Sequence, residues 1–252
     1  MNTVRLEKRE GMAVVTLDRP HVRNALSLEM VDELHLVLDA CRQDSQVKVL
    51  VITGSGSSFI SGGDLEQFIA VRGKEQSLPL LTKAGELLTA IDAMTKPTIA
   101  MINGAALGGG CEFAAACHFR FASENAVFGF VQIGMHITTG WGGGTRLLDK
   151  LPESRALALL LTGERFDAKQ AEQIGFIDGL YQPECLQEEV YRFAGKIAAQ
   201  PLEGIQAYMR MLQWKRAGMS QAERIRREIE QCADLWGSDE HVRVVQRFLR
   251  KG

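Results

Sequence analysis

Two glycine-rich segments have the composition needed to bring main-chain N–H groups against a negatively charged oxygen. Residues 61–65, SGGDL, follow the apolar segment VLVIT and a polar loop. Residues 103–112, NGAALGGGCE, follow a second apolar segment, PTIAMI, and open a helical pattern. Glycine has no Cβ, and the first N–H groups of a helix have no internal acceptor and carry partial positive charge. Both segments are candidate oxyanion sites, although turns between strands and helices use glycine without binding anything.

Motifs for several other chemistries are missing or incomplete. Phe59 stands where the third glycine of a dinucleotide-binding motif belongs, and no phosphate-binding lysine follows the glycines at 54 and 56. The sequence contains no H-E-x-x-H and no G-x-S-x-G. The five cysteines are scattered and form no C-x-x-C pair: Cys41, Cys111, Cys117, Cys185 and Cys232. We therefore expect no metal site, no disulfide framework and no separate cofactor.

The elements that would position these loops follow an α/β pattern. Residues 4–8 and 12–17 predict a hairpin, and Ser27 is a candidate N-cap for the helix that follows. Apolar segments at 47–53 and 97–102, and shorter ones at 118–122 and 126–130, predict strands of a layered core, with a helix at 80–94. From about Glu153 the pattern is almost wholly helical. We predict a core of residues 1–195 and a helical lobe of residues 196–252.

Composition limits the classes of partner. The 252 residues are 46% hydrophobic, enough for one large core, and 29 basic and 31 acidic residues give a net charge of −2. The sequence has no basic patch of the kind that would predict binding to nucleic acid or to an anionic membrane. No segment approaches the ~18 apolar residues of a membrane span, and the first twenty residues lack an apolar signal core. We expect a soluble, cytoplasmic protein with a small-molecule substrate.

Four segments occur in an order that resembles the crotonase (enoyl-CoA hydratase/isomerase) superfamily. They are FISGGDL at 59–65, NGAALGGGCE at 103–112, FG at 128–129 and GWGGGTRL at 140–147. The resemblance implies an α/β fold, the ClpP/crotonase-like spiral of repeated β-β-α units with a C-terminal helical lobe. It also implies an acyl-CoA thioester substrate, and assembly as a homotrimer or a dimer of trimers in which the lobe completes the CoA site.

By this resemblance, Gly63 and Gly109 supply the two N–H groups of an oxyanion hole, and Glu112 is the acid/base carboxylate. The assignment is physically coherent, because an enolate needs fixed donors aimed at its oxygen. The alternative for Glu112 is a first-turn acid that complements the helix dipole.

The sequence departs from the superfamily pattern at Gln132. Hydratases of the superfamily carry a second glutamate at the position that Gln132 occupies, and an amide cannot act as a general base. A sequence with one glutamate at these two positions more closely resembles the ethylmalonyl-CoA decarboxylase-like branch of the superfamily. This resemblance predicts decarboxylation of a short alkylmalonyl-CoA. Hydration of a 2-enoyl-CoA stays as the alternative. A CoA-binding member with little catalysis is the third possibility.

The resemblance also places a set of residues along the substrate. The predicted contacts with CoA or the acyl group are Arg23, Asn24, Ala25, Ser61, Gly62, Asp64, Leu65, Phe68, Gly108, Gly140, Trp141, Trp236 and Lys251. Core packing is the alternative for Phe68 and Trp141. Arg19 and Arg23 are candidate phosphate contacts, with a solvated surface as the alternative, and His136 is either a pocket residue or structural.

Overall fold

The structure, a computed structural model, describes residues 1–250. These residues divide into two compact units, Met1–Ala199 and a second unit that begins at Gln200. The predicted division after residue 195 lies within a helix of the first unit, Leu186–Ala198.

Strands and helices alternate through most of the first unit. The strands are β1 (Val4–Arg9), β2 (Met12–Leu17), β3 (Val49–Gly54), β4 (Ser58–Ile60), β5 (Thr98–Ile102), β6 (Ala105–Leu107), β7 (Phe119–Ser123), β8 (Val127–Gly129), β9 (Arg165–Asp167) and β10 (Gly179–Tyr181). The helices are α1 (Leu28–Gln43), α2 (Leu65–Phe68), α3 (Gly73–Asp92), α4 (Gly109–Ala116), α5 (Gly143–Lys150), α6 (Glu153–Thr162), α7 (Ala168–Gln173) and α8 (Leu186–Ala198). Short 3-10 helices cover Pro20–Val22 and Val131–Met135.

Two sheets form the framework of this unit. The larger has the order β1-β2-β3-β5-β7-β10, and the smaller has the order β4-β6-β8-β9. The predicted hairpin is confirmed by the antiparallel pair β1 and β2. Strands β2, β3, β5, β7 and β10 then run parallel, which requires a crossover between each strand and the next. Strand β3 is buried along its whole length, as its uninterrupted apolar sequence predicts.

Two details differ from the sequence-based expectation. Residues after Glu153 are not wholly helical, since β9 pairs with β8 and β10 pairs with β7. Each of these strands has three residues, too few for an alternating pattern to be recognised. Helix α3 begins at Gly73, ahead of the predicted start at residue 80, and includes Pro79. The predicted capping of α1 is confirmed, because Ser27 accepts a hydrogen bond from the N–H of Met30.

The second unit contains three helices: α9 (Leu202–Arg216), α10 (Gln221–Trp236) and α11 (Asp239–Leu249). Arg210 of α9 donates to Gln231 of α10 at 2.7 Å, and serines cap the first turns of α10 and α11. Large apolar side chains of α10 and α11, among them Ile229 and Phe248, are exposed. The trimer or dimer of trimers stays a prediction. Within residues 1–250, no helix has both the length and the apolar character needed to cross a membrane.

Candidate active site

The first glycine loop leaves strand β4 and is held by the segment that precedes α1. Gly62 has φ = +116°, a conformation that side chains with a Cβ rarely adopt. Leu26 donates to the carbonyl of Gly62 at 2.8 Å and accepts from the N–H of Asp64 at 3.0 Å. This pair of bonds skips the N–H of Gly63, which lies between them. The loop therefore presents that N–H without using it in the bridge.

The second glycine loop leaves strand β6 and opens helix α4. Gly108, at φ = +52°, forms the N-cap, and Gly109 is the first residue of the helix, so its N–H has no acceptor within the helix. A methyl group added at Gly110 would lie 2.0 Å from the carbonyl oxygen of Ile60. This close approach packs the start of α4 against the end of β4, and so brings the two glycine loops together.

The indole of Trp141 lies against both loops. A methyl group added at Gly109 would lie 2.0 Å from Cζ3 of Trp141, and one added at Gly63 would lie 3.3 Å from Cζ2. The same methyl at Gly63 would lie 3.2 Å from the ring of Phe68. Trp141 and Phe68 thus lie beside the two glycines, and their contact with an acyl group stays a prediction.

Glu112 lies in the first turn of α4 with only 2% of its surface exposed. Its Oε2 accepts hydrogen bonds from the N–H groups of Trp141 at 2.8 Å and Gly143 at 2.9 Å. Its Oε1 accepts from Nε2 of Gln132 at 2.9 Å and, more weakly, from the N–H of Gly140 at 3.3 Å. A methyl group at Gly143 would lie 2.2 Å from Cγ of Glu112, so only glycine admits the carboxylate here.

Burial raises the pKa of the Glu112 carboxyl above its ordinary value, because the charged form is desolvated. The four hydrogen bonds favour the charged form and oppose this shift without cancelling it. The carboxyl therefore takes up a proton at a higher pH than an exposed glutamate does. Its donors nevertheless hold the ionised form in one orientation.

Gln132 is the predicted neighbour of Glu112, and the structure brings the two together. The side chain is 7% exposed, and its amide packs near Gly108. Within the described residues, the buried Oε1 of Gln132 has no hydrogen-bond partner. A buried acceptor without a donor is costly, so this oxygen is suited to a donor supplied by a ligand or by water.

Arg146 fixes the segment that holds Glu112. Its Nη1 donates to the carbonyl oxygen of Trp141 at 3.0 Å, and its Nη2 donates to Thr89 of α3 at 3.2 Å. Arg146 thus holds the main chain of Trp141 on its carbonyl side, while the N–H of the same residue reaches Glu112. The sequence-based reasoning missed Arg146 and the N–H of Gly143, although both lie in the quoted segment GWGGGTRL. A run of glycines beside a motif arginine was the available signal.

The predicted CoA contacts near residue 23 lie in a tight turn. Arg23 is exposed at φ = +54°, and its carbonyl accepts from the N–H of Ser61. The side chain of Asn24 is fully buried and donates to the carbonyls of Ser55 and Ser58, which leaves only its main chain to line a ligand path. Ala25 is also buried.

The acidic end of the first loop is held by an ion pair. Arg19 contacts Asp64 at 2.8 Å and donates to the carbonyl of Ala25, so its guanidinium is already engaged. Asp64 also caps α2. Leu65, the first residue of α2, and His136, which follows the 3-10 helix at 131–135, are both exposed.

Two predicted contacts belong to the end of the chain. Trp236 is exposed in the second unit, with its ring 4.8 Å from that of His241, and its contact with CoA stays a prediction. Lys251 lies outside the described residues. No cluster of three or more His, Cys, Asp or Glu side chains suited to a metal ion occurs among residues 1–250.

Gln132 also lines a cavity of about 310 Å³. Its lining residues are Phe130, Gln132, Ile133, Ile137, Thr138, Thr139, Gly144, Thr145, Leu148, Leu160 and Leu161. Neither Glu112 nor the glycines at 63 and 109 line it.

Comparison with known proteins shows which family the chain is similar to. The family model for enoyl-CoA hydratase/isomerase matches residues 7–252. A crotonyl-CoA hydratase of Syntrophomonas wolfei is 39% identical over 193 residues, which are 76% of this chain and 74% of the relative. The 2,3-dehydroadipyl-CoA hydratase of Escherichia coli K12 is 32% identical over 251 residues, 100% of this chain and 97% of the relative.

Solved structures confirm the predicted fold class. An enoyl-CoA hydratase from Bacillus anthracis superimposes with a TM-score of 0.93 at 25% identity, covering 99% of this chain and 96% of that one. An enoyl-CoA hydratase from Mycobacterium smegmatis has the same fold, with a TM-score of 0.93 at 24% identity over 100% of this chain and 97% of that one. The chain therefore belongs to the enoyl-CoA hydratase/isomerase family, the crotonase superfamily that its motifs resemble.

Proposed function

We propose that the protein hydrates a short 2-enoyl-CoA, with the thioester oxygen bound by the N–H groups of Gly63 and Gly109. Relatives named as hydratases favour this reaction, the alternative in the sequence-based prediction, over decarboxylation. In this proposal Glu112 carries the proton, and no separate cofactor takes part.

The observation that carries the proposal is the set of groups around Oε1 of Glu112. The N–H of Gly140 makes the longest bond to this oxygen, at 3.3 Å, and the partnerless Oε1 of Gln132 belongs to the amide bonded to the same oxygen. A water molecule has two protons to donate and an oxygen that accepts. The N–H of Gly140 would donate to this water, and Oε1 of Glu112 and Oε1 of Gln132 would accept hydrogen bonds from its two protons. In this arrangement Gln132 orients the water without needing to ionise.

The reaction then balances with one carboxylate. The oxygen of this water bonds to C3 of the enoyl group while Glu112 takes one of its protons. The electrons of the double bond move to C2 and the thioester oxygen, where the two glycine N–H groups stabilise the enolate. Glu112 returns its proton to C2. The net change is the addition of one water molecule, and Glu112 ends ionised as it began.

A substrate panel tests this proposal. We expect crotonyl-CoA to lose its conjugated-enoyl absorbance and to yield 3-hydroxybutyryl-CoA, with no CO₂ released from methylmalonyl- or ethylmalonyl-CoA assayed in parallel. Glu33→Gln is the matched control for a Glu112→Gln substitution, because Glu33 is also a buried glutamate but accepts hydrogen bonds from Thr3. Its hydration rate should equal that of the wild type once folding is verified. Butyryl-CoA binding without either reaction would instead support a CoA-binding member with little catalysis.

Decarboxylation is the second candidate, and Gln132 is the observation that favours it. An amide at this position puts no negative charge beside a substrate carboxylate, so like-charge repulsion is avoided. Loss of CO₂ from an alkylmalonyl-CoA would leave the same enolate, which a protonated Glu112 would protonate at C2. The raised pKa of Glu112 suits that role. CO₂ release without hydration of crotonyl-CoA would select this reaction and overturn hydration.

A further inference from the structure

One side chain fills the space where a Cβ would lie at Gly109 and borders that at Gly63. The Trp141 indole lies between Gly109 and Gly63, and Trp141 is 9% exposed. A methyl group at Gly109 would overlap three carbons of the six-membered ring, at 2.0 to 2.7 Å. If the thioester oxygen binds the N–H groups of these two glycines, the start of the acyl chain must pass close to this ring.

Helix α3 packs against the main chain of Gly140 and Trp141. A methyl group at Gly140 would lie 2.9 Å from Cδ2 of Leu81, and one at Gly85 would lie 4.0 Å from Cα of Trp141. Both Leu81 and Gly85 belong to α3. The main chain of Trp141 is therefore packed against α3 while its ring faces the glycines.

Hydrogen bonds to the main-chain N–H and to the carbonyl of Trp141 also fix its position. Its N–H donates to Glu112, and its carbonyl accepts from Arg146. Moving the main chain of Trp141 away to admit a long acyl chain would break both contacts. Protein interiors are packed tightly enough that such a side chain acts as a fixed wall.

We propose that Trp141 is the specificity-determining residue that limits the acyl group to short chains. The proposal rests on the function proposed above, because it takes an acyl-CoA to be the ligand. Trp141→Ala removes the ring but keeps the N–H bonded to Glu112 and the carbonyl bonded to Arg146. It therefore isolates the effect of the wall.

The cavity of about 310 Å³ is the rival location for an acyl tail. It has room for about ten groups the size of a water molecule. Gln132 lines it, whereas Trp141 does not. Leu148→Ala enlarges this cavity and leaves Trp141 unchanged, so it is the matched control.

Calorimetric binding of butyryl-, hexanoyl- and octanoyl-CoA tests the proposal without requiring turnover. We expect the wild type to bind butyryl-CoA at least tenfold more tightly than octanoyl-CoA. Trp141→Ala should remove this preference or reverse it, and Leu148→Ala should keep it. Trp141→Leu serves as the second variant if Trp141→Ala does not fold, and it should weaken the preference.

Two results would overturn this inference: equal binding of octanoyl- and butyryl-CoA by the wild type, or a loss of the preference in Leu148→Ala rather than in the Trp141 variants. The expected binding ratios without any hydration of crotonyl-CoA would overturn the proposed reaction and leave this inference standing. No binding of any of the three thioesters would overturn both.

Discussion

Glu112→Gln should lower the turnover of crotonyl-CoA by about 10³-fold or more, while butyryl-CoA binding changes by less than tenfold. The substitution keeps the size of the side chain and deletes the carboxyl group that is bonded to Gln132 and to the N–H of Trp141. A group that carries a proton in the transition state affects turnover more than ground-state binding. Steady-state kinetics and calorimetry on the same preparation separate the two effects.

Gln132→Ala is the companion variant and should cost much less, about tenfold to 10²-fold. It removes one donor to Glu112 and the acceptor proposed for the water, but no titrating group. Gln132→Glu adds a second carboxylate, so hydration should persist or rise while any release of CO₂ falls. Turnover by Glu112→Gln within tenfold of the wild type would show that Glu112 is only a first-turn acid of α4.

The pH dependence of hydration should follow the ionisation of Glu112. In the proposed reaction this group must be ionised to take a proton from water, and burial raises its pKa. The rate should therefore rise as pH increases, with a midpoint above the ordinary value of about 4.3 for a glutamate. A decarboxylase that uses protonated Glu112 would show the opposite slope over that range.

Gly109→Ala should lower turnover by about 10²- to 10³-fold, the range found when one oxyanion donor is lost. The new methyl group would lie 2.0 Å from Trp141, so either the ring or the start of α4 must move. The direction of the Gly109 N–H depends on that start. Kinetics together with a thermal melt distinguish a displaced donor from an unfolded protein.

Gly195→Ala is the matched control for this substitution. Gly195 lies inside α8, and a methyl group there has no neighbour within 4 Å. Alanine also favours a helix over glycine, so stability should hold or rise slightly and turnover should not change. Should Gly109→Ala fail to fold, Gly63→Ala is milder, with contacts of 3.2 and 3.3 Å to Phe68 and Trp141. Wild-type turnover in folded variants at both positions would contradict the oxyanion assignment.

The fold was largely predictable because its long elements have strong periodic patterns. The apolar segments that became β3 and β5, the opening hairpin and the cap at Ser27 all follow from local sequence. Strands β9 and β10 were not predicted, since a three-residue strand is determined by its partner in the sheet rather than by its own residues.

The candidate site was predictable where a motif names a residue and less so where a contact depends on packing. The proximity of Glu112 to Gln132 was expected from the ordered motifs. The hydrogen bond from the N–H of Trp141 to Glu112 was not, since the sequence placed Trp141 only in the acyl pocket or the core. The roles of Gly143 and Arg146 were not, because they depend on how α5 turns toward α4. For Asn24 the sequence did not reveal that the side chain is used within its own turn.

The central claim is that Gly63 and Gly109 together bind the thioester oxygen. A crystal structure of the protein with butyryl-CoA, a saturated thioester that cannot be hydrated, tests it most directly. We expect this oxygen to lie within hydrogen-bonding distance, about 3.2 Å or less, of both glycine nitrogens, with C2 next to Glu112. A thioester oxygen beyond that distance from both nitrogens, with both N–H groups directed elsewhere, would contradict it.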